Sequence, residues 1–367
     1  MKPILIIASE FPPLPGGIGN HAYNLAVNLQ KNYKQVTVIT DQRNVIIQTD
    51  LDFDQKQPFA IIRIKRRKMV FLTYMNRVIK TFNYVKNHKD ATIICSGKFQ
   101  LWLGAFLKII FKNRKYISVV HGSEIAAGGK WSQKFTKWSF IKYNVLVAVS
   151  EFTKKLILDK NPNLNVTVIN NGFVFSDEEI PILDYKLKGN PKIVTVGNVT
   201  FRKGQQNVIN ALPKLKKKFP EIQYHIIGIP TEKDTFESLA KSLNVKEICI
   251  FHGVLSDAKM KKIVSNSDVF CMLSENLPNG DVEGFGIAVL EANYFGLPAI
   301  GSQNSGISDA IKHNYSGKLV NPKNDIEILE ALTEIIENHQ KFSDQAKIWS
   351  LNFDWDIVIK KYLKIID

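Results

Sequence analysis

Ile193-Val194-Thr195-Val196-Gly197-Asn198-Val199-Thr200-Phe201-Arg202-Lys203-Gly204 reads as a strand, a glycine-led turn and the start of a helix. Four consecutive β-branched residues favour a buried strand, and Gly197 punctuates it. A helix is predicted over 205–219, and the unit then repeats. Strands are predicted at 223–228, 247–251, 269–273, 298–301 and 318–320, with helices at 235–242, 257–265, 285–295 and from 326 to the end. Upstream the same alternation predicts strands at 4–8, 36–40, 60–64, 92–95, 117–120, 145–149 and 166–169. Helices at 19–31, 73–86, 101–111, 133–142 and 151–158 separate them. Such alternation specifies parallel strands with crossover helices. Residues 173–191 interrupt it with acids, two prolines and Gly189. The expected fold class is α/β, two doubly wound Rossmann-like domains facing a central cleft. Its parts are 1–172, a linker at 173–191, 192–350, and a helix at 351–367 that crosses back to the first domain.

The chain has 367 residues, 45% hydrophobic and 23% charged, a globular composition too long for one core. It carries 49 Lys+Arg against 34 Asp+Glu, a formal +15, which predicts an anionic partner. The excess is uneven: residues 1–180 hold 26 basic and 12 acidic side chains, the remainder 23 and 22. Cys95, Cys249 and Cys271 form no C-x-x-C pair and fit a reducing compartment, and Cys271 lies in an apolar run, so a buried reduced thiol is expected there. The apolar start is too short for a signal-peptide core, and 99–107 is half of a membrane span. Seven scattered histidines make no metal motif. These readings place the protein in the cytoplasm with no metal and no membrane-spanning helix.

Two glycine-rich segments carry the candidate chemistry. After the first strand, Pro12-Pro13-Leu14-Pro15-Gly16-Gly17-Ile18-Gly19 opens a helix. Gly17-x-Gly19-x-x-Ala22 with Asp41 matches a dinucleotide fingerprint, yet the proline loop holds the glycines too far from the strand for that role. Their amides can still meet a phosphate at a helix N-terminus. In the second half, Arg202 and Lys203 put two cations at a strand-to-helix turn, suited to a diphosphate.

Further on, Asp281-Val282-Glu283-Gly284-Phe285-Gly286-Ile287-Ala288-Val289-Leu290-Glu291 spaces two acids by eight residues. On one helix they would sit on one side, about 12 Å apart, which suits the two ends of an extended ligand. The amides of Gly284, Phe285, Gly286 and Ile287 would open that helix toward phosphate oxygens. Glu291, among apolar neighbours, needs a partner. His121 follows a strand and precedes Gly122-Ser123-Glu124, a position at the ligand-binding end of such a sheet.

The E-x7-E element Glu283–Glu291 around Gly-Phe-Gly-Ile resembles that of family 4 glycosyltransferases. Pro12-Pro13-x-x-Gly16-Gly17, His121-Gly122-Ser123-Glu124, Ser150-Glu151-Phe152-Thr153, Asn170-Asn171-Gly172, Arg202-Lys203-Gly204 and Ser316-Gly317-Lys318 follow in the family's order. The narrower likeness is to bacterial mannosyltransferases acting on lipid-linked acceptors. The resemblance implies the GT-B fold, a nucleotide-diphosphate-sugar donor, no metal or other cofactor, and retention of anomeric configuration. It implies that Glu291 binds the ribose hydroxyls and Glu283 the donor-sugar hydroxyls. Lys203 would neutralise the diphosphate, with Gly16 and Gly17 facing it. His121 would touch the sugar, and the Val254 backbone the base. Asn198 stands where members usually carry Arg, so Arg202 is expected to supply the second cation or donor binding differs.

Partners expected on these grounds are a nucleotide sugar, a glycan or polyprenyl- or lipid-linked acceptor, and an anionic membrane surface. The last rests on Arg63-Ile64-Lys65-Arg66-Arg67-Lys68-Met69-Val70-Phe71-Leu72 and on 98–115 with Trp102 and Phe106. The protein would then lie peripherally at the inner face of the cytoplasmic membrane and serve polysaccharide or lipopolysaccharide synthesis. No nucleic-acid motif accompanies the charge. Two alternatives remain: a sugar-nucleotide epimerase of the same fold, and a non-catalytic basic binding protein.

Overall fold

A computed structural model describes residues 2–14, 16–33, 35–42, 46–126, 128–174 and 187–367. The chain divides into two compact units, Met1–Gly172 with Trp355–Asp367, and Phe173–Asp354.

The first unit holds seven parallel strands: β1 (Ile4–Ala8), β2 (Val36–Asp41), β3 (Ala60–Ile64), β4 (Thr92–Ser96), β5 (Tyr116–Val120), β6 (Val145–Ala148) and β7 (Val166–Val168). Their order is β3-β2-β1-β4-β5-β6-β7, so the winding reverses between β1 and β4. Ile6 of β1 pairs with Val38 on one side and Ile94 on the other. The strands read as unbroken apolar runs because helices cover both faces. Burying each Ile or Leu of β1 contributes roughly 1.5–3 kcal/mol.

Helix Gly17–Gln30 lays Ala22, Leu25, Ala26 and Leu29 on this sheet at helical spacing. Against it lies the last helix, Trp355–Ile366, through Tyr362 Oη to His21 Nε2 at 2.9 Å and Tyr33 Oη donating to Asp367 at 2.7 Å. The residues that join this helix to the rest, Leu351–Phe353, form a 3₁₀ turn within the second unit.

The second unit holds β8 (Lys192–Val196), β9 (Gln223–Ile227), β10 (Cys249–Gly253), β11 (Val269–Met272), β12 (Ala299–Ser302) and β13 (Gly317–Val320), ordered β10-β9-β8-β11-β12-β13. Its core gathers Ile193, Val208, Leu212, Leu215, Tyr224, Phe236, Val269 and Leu332. Cys95, Cys249 and Cys271 are free and buried, and burial pushes the thiols of Cys95 and Cys249 up to about 12.

All thirteen expected strands are present, with ends shifted by one or two residues. Helix Ile47–Asp54 was not foreseen, because its polar sequence has no apolar stripe. It is held instead by Asp54, which accepts from Arg63 at 2.7 Å, while Asp50 lies 3.6 Å from the same guanidinium. Arg63 is therefore paired and only partly exposed, and it leaves the basic face that the sequence assigned to it. Phe173 and Asn190, inside the expected linker, belong to the second unit and bridge to Asp354 and Glu221. The linker's centre, 175–186, lies outside the described residues. Counted by unit, the first carries 29 basic and 11 acidic residues and the second 20 and 23. The charge is thus more polarised than the sequence midpoint suggested.

Candidate functional site

The second unit builds one group of candidate residues at the carboxyl ends of β8 and β11. Gly197, at φ 149°, turns the chain out of β8, and the Lys203 stem lies over it. A 3₁₀ turn, Phe201–Lys203, then presents both cations. Gly204 is left-handed at φ 80°, and a Cβ there would fall 1.8 Å from the Leu273 carbonyl oxygen. That close approach, which only glycine permits, fixes the direction of the turn.

Arg202 and Lys203 converge on Glu283. The Lys203 ammonium is 2.8 Å from Glu283 Oε2, Arg202 Nη1 bonds the same oxygen, and Arg202 Nε reaches Asp281 at 3.2 Å. Burial alone would raise the Glu283 carboxyl, but Lys203 and Arg202 outweigh it and hold it below its ordinary range. Asn198 is exposed in the turn, and Arg202 is the cation that meets Glu283 beside Lys203.

Glu283 does not stand on the helix. The helix runs Ile287–Tyr294, with left-handed Gly286 at φ 84° before it. Glu283, Gly284 and Phe285 form an approach loop, whose Glu283 carbonyl accepts from Gly306 N at 3.0 Å. The Phe285 ring packs 5.7 Å from that of Phe353. The expected helix start at Phe285 is thus corrected to Ile287. The two-turn spacing of the two acids does not hold either, because a loop, not a helix, carries Glu283. Phe285 was expected to offer only its amide; its buried ring also anchors the loop.

Glu291 faces a hollow of about 270 Å³ lined by Val196, Asp257, Lys261, Ala288 and Phe295. Its side chain is open to water within that hollow. The crowding walls and then Asp257 push its carboxyl up, with Lys203 and Lys261 pulling it back. Lys203 therefore acts electrostatically on both acids. Val254 follows β10 and is 70% exposed.

The first unit builds a second group. His121 directly follows β5, and Gly122 at φ 111° lets Glu124 fold back so that its Oε2 accepts the His121 backbone N–H at 3.0 Å. His121 Nε2 meets Ser96 Oγ at 3.0 Å, and its ring lies edge-on to His21, 5.2 Å away. Burial pushes His121 down to about 4, and both burial and His121 push His21 well down. Both imidazoles are neutral near pH 7. The sequence did not single out His21; an apolar helix face carrying one histidine gives no signal until its partners His121, Tyr362 and Trp355 are known. Gly17 opens its helix, and a Cβ there would meet nothing within 4 Å; Gly16 precedes it. Asp41, the ribose acid of the rejected dinucleotide reading, is spent in a buried pair with Arg77, Nε to Oδ1 at 3.0 Å.

Residues 15–177 match the family described as Glycosyltransferase Family 4, and residues 179–349 the Glycosyl transferases group 1. The chain is 25% identical to an uncharacterised glycosyltransferase of Methanocaldococcus jannaschii, over 99% of this chain and 97% of that one. It is 21% identical, over 96% and 95%, to the GDP-mannose-dependent alpha-(1-6)-phosphatidylinositol monomannoside mannosyltransferase of Mycolicibacterium smegmatis. Anabaena HepE, solved with UDP and glucose, superposes with a TM-score of 0.77 at 17% identity, over 99% of each chain. The two wound sheets and this likeness identify the fold as GT-B.

Proposed function

The chain belongs to the family 4 glycosyltransferases, and from that premise we propose that it moves a hexose from a nucleotide-diphosphate sugar to a glycan or lipid-linked acceptor. The hexose is mannose in the first instance, and its anomeric configuration is retained. The observation that supports this reading is the convergence of Lys203 and Arg202 on Glu283, with Glu291 in reach of the same lysine's field.

Charge develops on the diphosphate as the anomeric C–O bond lengthens. Lys203 and Arg202 neutralise it, and the amides before helix Ile287–Tyr294 add to their field. Glu283, kept ionised, accepts hydrogen bonds from the donor-sugar hydroxyls as the ring becomes oxocarbenium-like. Glu291 takes the ribose hydroxyls. His121 is neutral, so it orients a sugar hydroxyl by a hydrogen bond rather than delivering a proton. The departing phosphate takes the acceptor's proton on the same face. Two side-chain cations supply the neutralisation, so turnover is expected to survive EDTA.

The acceptor is reached at a membrane surface. Helix Val70–Asn87 exposes Val70, Phe71, Met75 and Ile79 beside Lys65, Arg66, Arg67 and Lys68. Trp131 on helix Lys130–Phe140 is 84% exposed, with Lys134 over its ring. Trp102, expected at that surface, instead donates to Thr136 at 3.0 Å under this helix. Among the described residues no helix is long and apolar enough to cross a membrane. Basic residues beside exposed rings suit an anionic interface.

The test is incubation with GDP-mannose, UDP-glucose and other nucleotide sugars, with and without a bacterial lipid extract. A new glycolipid with the donor's anomeric configuration by NMR is the expected result. Sugar rearrangement or release with no acceptor product would establish the epimerase instead.

A further inference from the structure

Two neighbouring strands of the first unit bring a serine against a histidine. Ser96 closes β4 in register with Val119 of β5, and His121 directly follows β5. Residues two apart on a strand point to one face, so His121 returns to the side that Val119 and Ser96 share. There Ser96 Oγ lies 3.0 Å from His121 Nε2, and Ser96 is only 2% exposed. The serine's backbone is pinned as well, its carbonyl accepting from Ser9 N at 3.1 Å.

His121 is held from three directions. Its backbone N–H donates to Glu124 Oε2, its Nε2 meets the serine, and its ring lies edge-on to the buried His21 ring, 5.2 Å away. His21 is fixed in turn, with Tyr362 Oη 2.9 Å from its Nε2 and the Trp355 ring 5.5 Å off. The other nitrogen of His121, Nδ1, has no partner among the described residues, and unlike Nδ1 of His21 it is not sealed from water.

A neutral imidazole carries one proton, on one nitrogen or the other. Burial brings His121 down to about 4, so the ring keeps that single proton near pH 7. The serine decides where it sits. Ser96 Oγ bonds no other group among the described residues. If Nε2 carried the proton and donated to Oγ, the serine O–H would be a buried donor with nothing to receive it. If the hydroxyl donates to a bare Nε2, the loss is an unused oxygen lone pair, which buried groups tolerate more often. The second arrangement puts the ring proton on Nδ1, the nitrogen left for a ligand.

We propose that Ser96 is a positioning residue that fixes His121 as an Nδ1–H donor, so that the sugar oxygen it meets accepts a hydrogen bond rather than giving one. The inference rests on the glycosyltransferase reading above and adds the residue that sets the direction of that bond.

The experiment is long-range proton–nitrogen NMR near pH 7 on the whole protein carrying isotope-labelled histidine, since a protonated ring nitrogen resonates far from a bare one. His121→Asn identifies the signals. The wild type is expected to hold its proton on Nδ1. In Ser96→Ala a water in place of Oγ can give or accept, so the proton should spread over both nitrogens. Ser96→Thr, which keeps the hydroxyl, should return it to Nδ1. Ser96→Ala should also lower kcat roughly tenfold while the donor KM moves less than about twofold, and Ser96→Thr should recover most of the loss. A wild-type proton on Nε2, or a proton that stays on Nδ1 in Ser96→Ala, overturns the proposal. So does a fall in kcat with the proton unmoved, the mark of a merely structural serine, or a moved proton with kcat unchanged. Because the spectra need no turnover, a protein that shows the expected proton shifts yet transfers no sugar would refute the transferase reading alone.

Discussion

The Lys203 ammonium stands 2.8 Å from the Glu283 carboxylate, and the charge of the same lysine also lowers the Glu291 carboxyl. One cation thus ties together the two acids of the motif, which the chain itself places on different elements, a loop and a helix.

Removal of that cation should cost nucleotide binding first. Charged hydrogen bonds contribute about 1.5–3 kcal/mol, so Lys203→Ala is expected to weaken UDP or GDP binding roughly 10- to 100-fold. Titration calorimetry with both nucleotides reads this directly. Affinity within threefold of the wild type would remove Lys203 from the diphosphate site.

Gly204→Ala tests the turn that aims the lysine. Its Cβ would fall 1.8 Å from the Leu273 carbonyl oxygen, and the residue sits at φ 80°. Backbone strain plus the clash should cost about 3 kcal/mol or more of stability. Urea denaturation followed by circular dichroism is the measurement. A midpoint unchanged within error would show that the turn relaxes freely.

Acid should weaken the first unit through its buried histidines. His121 is depressed from 6.5 to about 4, and His21 is also lowered, so the folded state binds fewer protons than the unfolded chain between those values. The stability they hold is present above pH 6.5 and is lost as pH falls toward 4. For His121 this amounts to about 2 kcal/mol by pH 5. Glu124 acts in the opposite sense, since its raised carboxyl costs stability as pH rises from 4.5 toward 7. In a Glu124→Gln background, urea midpoints measured from pH 7 to 5 should therefore fall more steeply. Adding His121→Asn should flatten them, and equal slopes with and without His121 would contradict its buried, neutral state.

Phe71 and Trp131 should anchor the protein to anionic vesicles. A large apolar side chain withdrawn from water contributes roughly 1.5–3 kcal/mol, so Phe71→Ala with Trp131→Ala should reduce binding by more than 50-fold. Co-sedimentation with phosphatidylglycerol vesicles at low salt tests it. Retention of full binding by the double variant would leave the cations, not the rings, as the contact.

Much of this was legible in the sequence, because strands buried on both faces announce themselves as apolar runs. Ile4–Ala8 and Val269–Met272 need no tertiary context to be recognised. Helix Ile47–Asp54 was illegible because its stabilisation comes from Arg63, nine residues beyond Asp54. The site was read by residue type, and its geometry was partly misread. Glu283 and Glu291 were treated as one helical face, since a glycine in the left-handed region at Gly286 cannot be told from a helical glycine by spacing alone.

What the sequence alone determined is the winding of two parallel sheets, the strand ends at which chemistry can occur, and the identity of the acids and cations found there. Local periodicity and β-branching are sufficient for that, because they depend on neighbours a few residues away. Which groups are already spent and which remain open was decided only by the tertiary structure. Asp41 is closed by Arg77, Arg63 by Asp54, and Trp102 by Thr136, while Gln100 is buried with its amide unpaired. Pairing and burial arise from contacts between distant segments, and a residue's type cannot reveal whether its partner has arrived.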